Sequence, residues 1–398
     1  MRVGASAARR RAVLLVLTAS AGCRLDFDRA GAVDARPITG QVDGGADASA
    51  PLALRCGEAV RLADLGPASG ATPAVSAVGA LNGDGANVLA VAWDPHEANL
   101  AVSGWTGSVS ADAIRPLAGP TALTTALGSV TLTAVGDGLL LAVGSNTEVE
   151  LSPWALDLTS TNSRRVLAGG GLGNRFAQRG LGPDRVIVAT AISGGTTPGV
   201  ALTEVDQVGF TVMAAPRLTP ATASPTLARV GNGYAALITR TSDLLCDLVA
   251  LDAALDVTRG NRLIDMTCHE PAAAALGGDS VALAWNCDND AVWLMVTPPA
   301  AATLPAYRAV YTGSAAEPAT SPRLGRTSAG TWYTYRIGAE ALGAALLDGT
   351  GAELRAPAEL VRSSKLGGYD LAVANDRAFL VWTQHLVRDE LWAMPLCP

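Results

Sequence analysis

The chain has 398 residues, of which 49% are hydrophobic and 16% charged, with a formal net charge of −7. That composition supplies a core for one large all-β domain or for two or three ordinary ones. Lys365 is the only lysine, and so acidic a chain lacks the basic footprint of nucleic-acid binding and of electrostatic docking on anionic lipid.

In chain order, Arg9, Arg10 and Arg11 precede a short apolar run from Ala12 to Thr18, and small residues then lead to Gly22. This is the three-part layout of a secretory signal, and its apolar run is too short to span a bilayer. Ser20-Ala21-Gly22-Cys23 resembles the lipobox of bacterial lipoproteins, in which the cysteine is diacylated and becomes the first residue; Ser20 stands where that family usually has Leu. The resemblance implies a lipoprotein signal peptide over 1–22 and lipidation of Cys23. Arg24, in place of the Asp of an inner-membrane retention signal, implies the outer membrane. Loss of Arg2, Arg9, Arg10 and Arg11 with the signal takes the charge from −7 to −11. Residues 23–52 are rich in Ala, Asp, Gly and Pro. They bury too little surface to offset ordering, which predicts a disordered tether with a reach of roughly 30 Å.

From residue 53 the chain repeats. The clearest unit, 270–287, reads EPAAAALGGDSVALAWNC: an apolar run, a tight Gly turn, and a second apolar run ending in an aromatic. The same unit recurs at 73–93, 131–144, 176–190, 225–239, 322–335 and 368–382. The second runs end at Trp93, Gly144, Thr190, Thr239, Trp285, Tyr335 and Trp382, spaced 46 to 51 residues apart. A third run follows each, such as 291–296, and many units close on a fourth run such as 163–169, 260–266 or 357–363. Four short strands per unit of 40–50 residues predict an all-β, seven-bladed β-propeller over 53–398, with six or eight blades as alternatives. The last unit stops after its third run, 390–396, while 56–65 resembles a fourth run and precedes the first unit. An N-terminal strand completing the last blade leaves no open edge.

The repeats resemble WD40-like exported propellers, including a loosely defined family with Leu-Asp before the third hairpin turn. Ala155-Leu156-Asp157, Ala250-Leu251-Asp252 and Leu346-Leu347-Asp348 carry that resemblance. It implies no functional residue.

Catalytic and metal motifs are sparse. His96, His269 and His385 are the only histidines, and none has a second histidine at ligand spacing. HExxH, GxSxG, Walker and dinucleotide motifs are absent. Leu81-Asn82-Gly83-Asp84-Gly85 resembles a calcium turn of integrin-type repeats, but Ala80 and Val88 stand where further carboxylates are expected, so a plain hairpin is the reading. The acidic loop Asn286–Asp290 reads as a solvated tip. No cofactor or metal is expected, and an enzyme acting on polysaccharide through channel carboxylates is kept as the alternative function.

In a propeller the second-to-third strand loops share one face. That face is predicted to carry Asp94, His96, Glu97, Asn146, Arg240, Asp243, Asp288, Asp290, Arg336, His385 and Arg388. Loops on a rigid scaffold are where binding concentrates. The expected function is a monomeric binding or assembly module for a protein or glycan of the cell envelope, touching the membrane through its lipid alone. A purely structural envelope component is a further alternative. Export favours disulfides. Ring closure predicts Cys56–Cys397, the competing account being a spare Cys56 thiol in the tether. A turn pairing Leu276 with Asp279 predicts Cys268–Cys287, with Cys246–Cys268 as the alternative.

Overall fold

Val88-Leu89-Ala90-Val91-Ala92-Trp93 is apolar at successive positions, and a strand of that kind needs a packed layer on each face. Stacking sheets around a ring supplies both layers. The computed structural model describes residues 54 and 56–398, apart from 68–72, 82–83, 96–100, 111–112, 126–127, 145–147, 162–163, 169–175, 181–184, 193–198, 207–211, 219–221, 241–242, 288–289 and 386–387. The expected signal, Cys23 and the tether lie outside the described residues.

Among these residues seven four-stranded antiparallel sheets pair. Blade one is β2 (Ala74–Leu81), β3 (Asn87–Asp94), β4 (Val102–Val109) and β5 (Ile114–Thr124), preceded in the chain by β1 (Val60–Pro67). Blade two is β6 (Ser129–Val135), β7 (Gly138–Gly144), β8 (Glu148–Ala155) and β9 (Arg165–Ala168). Blade three is β10 (Phe176–Gly180), β11 (Arg185–Ile192), β12 (Gly199–Asp206) and β13 (Val212–Leu218). Blade four is β14 (Thr222–Val230), β15 (Gly233–Arg240), β16 (Leu245–Leu251) and β17 (Val257–Thr267). Blade five is β18 (His269–Gly277), β19 (Ser280–Asn286), β20 (Ala291–Thr297) and β21 (Arg308–Thr312). Blade six is β22 (Ala319–Thr327), β23 (Gly330–Ile337), β24 (Ala341–Leu347) and β25 (Glu353–Arg362). Blade seven is β26 (Leu366–Ala374), β27 (Arg377–His385) and β28 (Arg388–Leu396), with β1 as its outermost strand.

The first strands touch in turn, β2, β6, β10, β14, β18, β22 and β26, and β26 returns to β2. The chain is a β-propeller. Its core is divided accordingly, with one apolar cluster in each of the seven seams between neighbouring blades. Strand alternation serves two seams at once. Leu89, Val91 and Trp93 pack toward blade seven, whereas Val88, Ala90 and Ala92 pack toward blade two. Outer strands β5 and β25 are largely exposed, as befits the rim.

Closure differs in extent from the expected 56–65. β1 begins at Val60 and pairs with β28 from Val60↔Ala393 to Pro67↔Arg388, with two irregularities. Before it, Cys56 N donates to Pro395 O at 3.2 Å and Cys397 N to Leu54 O at 3.0 Å. Cys56 and Cys397 form a disulfide with Cα atoms 5.1 Å apart.

The Cys268–Cys287 pairing is corrected. Cys268 bonds to Cys246, with Cα atoms 5.6 Å apart. The β18–β19 turn pairs Gly277 with Ser280, not Leu276 with Asp279, but further shifts bring the ladder back to the expected register at His269↔Asn286, so register is not what decides the pairing. Pro271 cannot donate to the ladder, and a bulge absorbs it. Cys268 is the single residue joining β17 to β18, and its N–H donates to Leu244 O at 2.7 Å. That bond draws it toward β16, where Cys246 lies buried.

Candidate functional site

Of the predicted polar face, His96, Glu97, Asn146 and Asp288 lie outside the described residues. The others belong mainly to locks between strands and blades. Asp94, at the end of β3, is fully buried, and its Oδ2 accepts from Gly128 N at 2.7 Å, at the entry to blade two. Arg336 donates to the carbonyls of Gly338 and Ala339 in its own blade and of Leu366 and Gly367 in blade seven. Arg240 pairs with Asp243 across the β15–β16 turn. Arg388 donates to both carboxylate oxygens of Asp64, at 2.8 and 2.7 Å, joining β28 to β1. His385 Nδ1 lies 2.6 Å from Asp389 Oδ1. Asp290 holds a left-handed backbone (φ 63°), and its carbonyl accepts from Gly313 and Ala319. Asp94, Arg336 and Arg388 thus hold the ring, while Arg240, Asp243 and His385 are engaged within their own blades.

A second polar chain runs through the first strands. Ser321 donates to Glu270 Oε2 at 2.7 Å, linking blades six and five, and Tyr369 of blade seven donates its hydroxyl to Ser321 O. Arg323 lies over the Tyr369 ring and 3.5 Å from Asp370 Oδ1. Asp370 Oδ2 accepts from Ala77 N at 2.9 Å in blade one, and Ser76 Oγ accepts from Leu132 N at 3.0 Å in blade two. Burial pushes the Asp370 carboxyl above its ordinary range, against the opposing pull of Arg323 and the backbone donors. Five consecutive blades are thereby tied by side chains that sequence reasoning did not single out. Their types are ordinary, and only the ring brings them together.

The Leu-Asp motifs have a local structural role. Asp252 Oδ1 accepts from the backbone of Ala254 and Asp256, both at 2.9 Å. Asp348 Oδ1 accepts from the backbone and hydroxyl of Thr350 and from Ala352, and Asp157 Oδ1 from the backbone and hydroxyl of Thr159. Each aspartate shapes the turn between its third and fourth strands.

An open concavity lies on the opposite face, among the first-to-second and third-to-fourth strand turns. An open cleft of about 780 Å³ sits between blades four and five. Its floor includes Val230, Leu251 and the buried Tyr234, and Pro298 and Pro299 form a wall. Asn232, Asp252, Thr258 and Asp279 supply its polar side chains, and among the described residues no Lys, Arg or His lines it. The next seam shows why this one is open. Between blades five and six, Arg308 reaches Gly351 O and Glu353, Arg326 reaches Ala275 O, and Gly351 lies close against Val296. The loop after β20 spans 298–307, twice the five residues, 348–352, that follow β24. Arg259 anchors it from β17 through the carbonyls of Ala300 and Ala302, at 3.3 and 3.2 Å. Its extra length and Pro298-Pro299 were the available sequence signal.

Among the described residues no group of three His, Cys, Asp or Glu side chains is placed to hold a metal ion, and no helix is long and apolar enough to cross a membrane.

No family model matches the chain, and neither does any curated protein. Similar solved structures include the Dos1 propeller, at 10% identity and a TM-score of 0.49, covering 87% of this chain and 96% of that one. A triple-arginine mutant of AofleA from Arthrobotrys oligospora matches at 11% identity and a TM-score of 0.46, over 77% and 90% of the two chains. An Aleuria aurantia lectin mutant in complex with alpha-methyl-L-fucoside matches at 10% and 0.46, over 74% and 97%. At these identities and scores, nothing about ligand or site carries over to this chain.

Proposed function

We propose that this chain is a binding module of a bacterial cell envelope, held at the outer membrane by lipid on Cys23, with its propeller presenting a surface to a protein or glycan. The open cleft between blades four and five carries this reading. A concavity with an apolar wall and a few convergent polar groups is the usual form of a ligand site, and the neighbouring seam, built from the same strands, is closed by Arg308 and Arg326. The residues preceding β1 enter at the rim, since β1 is the outermost strand of its blade, so a tether there leaves both faces accessible. Asp370 accepts two backbone N–H groups and faces Arg323, so it is assigned a structural role and not that of a channel acid or base.

The test is fractionation of cells expressing the wild type or Cys23→Ala, with a fatty-acid analogue as label, followed by binding of envelope extracts to the purified domain. The expected result is release of the variant from the membrane fraction, loss of label, and the same ligand captured by both forms. Unlabelled protein that stays in the membrane fraction would overturn the anchor. Absence of any saturable binding to envelope proteins or glycans would overturn the module.

A further inference from the structure

We infer that the cleft between blades four and five receives an aliphatic primary ammonium group, carried either on a lysine side chain of a partner or on a free polyamine. This rests on reading the propeller as a binding module and narrows the chemistry of its ligand.

Charge is the first ground. The carboxylates of Asp252 and Asp279 come from different blades and border one cleft to which the described residues contribute no basic side chain. An anionic guest meets repulsion there with nothing to offset it, whereas a cation finds acceptors on both sides. The Arg259 guanidinium, which lies in this seam, is occupied by the carbonyls of Ala300 and Ala302. The whole chain, at −7, attracts cations at longer range as well.

Shape and surface chemistry are the second ground. Pro298, Pro299 and Val230 are saturated, and Tyr234, the aromatic side chain of the lining, is buried. A guanidinium draws much of its affinity from stacking on aromatic faces, and the lining offers no exposed ring. An ammonium is a compact charge on a flexible four-carbon stem that lies well along apolar surface while its head reaches a carboxylate. The saturated wall suits that stem, and the Asn232 and Thr258 oxygens add acceptors for the remaining N–H groups. Asp279 is exposed and stands at the β18–β19 turn, free of the turn-shaping bonds that engage Asp252. It is therefore the side chain to change.

The experiment is calorimetric titration of the full chain with cadaverine and with an acetylated, amidated Gly-Lys-Gly peptide. Pentanol and the norleucine peptide serve as uncharged counterparts. Saturable binding of an amine, absent for its counterpart and weakened by salt, is the expected result. Asp279→Asn should weaken it roughly three- to tenfold at unchanged melting temperature, and Asp252→Asn with Asp279→Asn by roughly tenfold or more. Binding of cadaverine alone identifies a free polyamine as the source, and binding of the peptide alone a protein partner. Equal binding of the uncharged counterparts, or amine binding indifferent to both variants, would overturn the inference. So would the absence of amine binding; retained capture of an envelope protein or glycan would then leave the binding-module reading standing, and its loss as well would remove both.

Discussion

Cys56 and Cys397 are separated by 341 positions in the sequence and by 5.1 Å at their Cα atoms. Backbone hydrogen bonds from Cys56 to Pro395 and from Cys397 to Leu54 flank the bridge, so sulfur and backbone together close the last blade. Cross-linking so long a loop restricts the unfolded chain, and native bridges commonly contribute about 2–4 kcal/mol. Cys56→Ser should lower the melting temperature and hasten exchange of the β1 amides. A variant as stable as the wild type would mean that strand pairing alone closes the ring.

Cys246–Cys268 ties the link between blades four and five to the third strand of blade four. Peptide mapping without reduction should recover 246 joined to 268. A 268–287 peptide would refute the assignment. Cys268→Ser should destabilise the seam beside the cleft more than Cys56→Ser does, as read by local amide exchange.

Arg323 and Asp370 form the middle of the polar chain through five blades. Asp370→Ala removes the acceptor of Ala77 N and leaves Arg323 without its carboxylate, at a cost of about 1–3 kcal/mol. The Arg323 side chain keeps 36% of its surface in solvent, which holds the estimate below that of a fully buried pair. A double-mutant cycle with Arg323→Met, read by urea denaturation, should give a coupling of at least about 0.5 kcal/mol. Simple additivity would show that the two act separately.

The turn aspartates predict an acid response. The hydroxyl of Thr159, followed by backbone N–H groups, holds the Asp157 carboxyl below its ordinary value of 3.8, and Thr350 does the same for Asp348. Asp64, beside Arg388, and Asp376, beside Ser328, are lowered too. A folded-state value below the unfolded one means that the unfolded chain takes up protons first as pH falls. The stabilisation is therefore fully present above the ordinary value and is lost as pH falls through the depressed ones. Asp370, raised by burial, acts in the opposite sense, losing stability as pH rises from the ordinary value to its own. Melting temperatures from about pH 5 to about pH 2.5 should fall, and less steeply for Asp348→Asn. Parallel curves would remove the turn carboxylate as a cause.

The repeat, the four-strand unit and the borrowed closing strand were legible because they depend on local order. Apolar residues at successive positions mark a strand covered on both faces, and a Gly turn marks each hairpin. Trp93, Trp285 and Trp382 recur where that pattern ends, and the sulfur at Cys56 lies beside the strand that must pair with the chain's last one. Cys268–Cys287 failed although the register at His269↔Asn286 is the one expected, because Cys268 joins two blades and its N–H bonds to Leu244 O, which sets it beside Cys246 of the preceding blade. The polar face was inferred from topology alone, and its side chains could not be read from the sequence as free or engaged. Whether Asp94 meets solvent or Gly128 depends on how close the next blade lies. The cleft was decided at the same level. Val230 and Asp279 are unremarkable in sequence, Asp252 marks only a turn and Pro298-Pro299 only a long loop, and they become one site because the ring sets blade five beside blade four. Periodicity reports which side of a strand is covered, whereas a gap between blades depends on the volumes of side chains that meet only after the ring has closed.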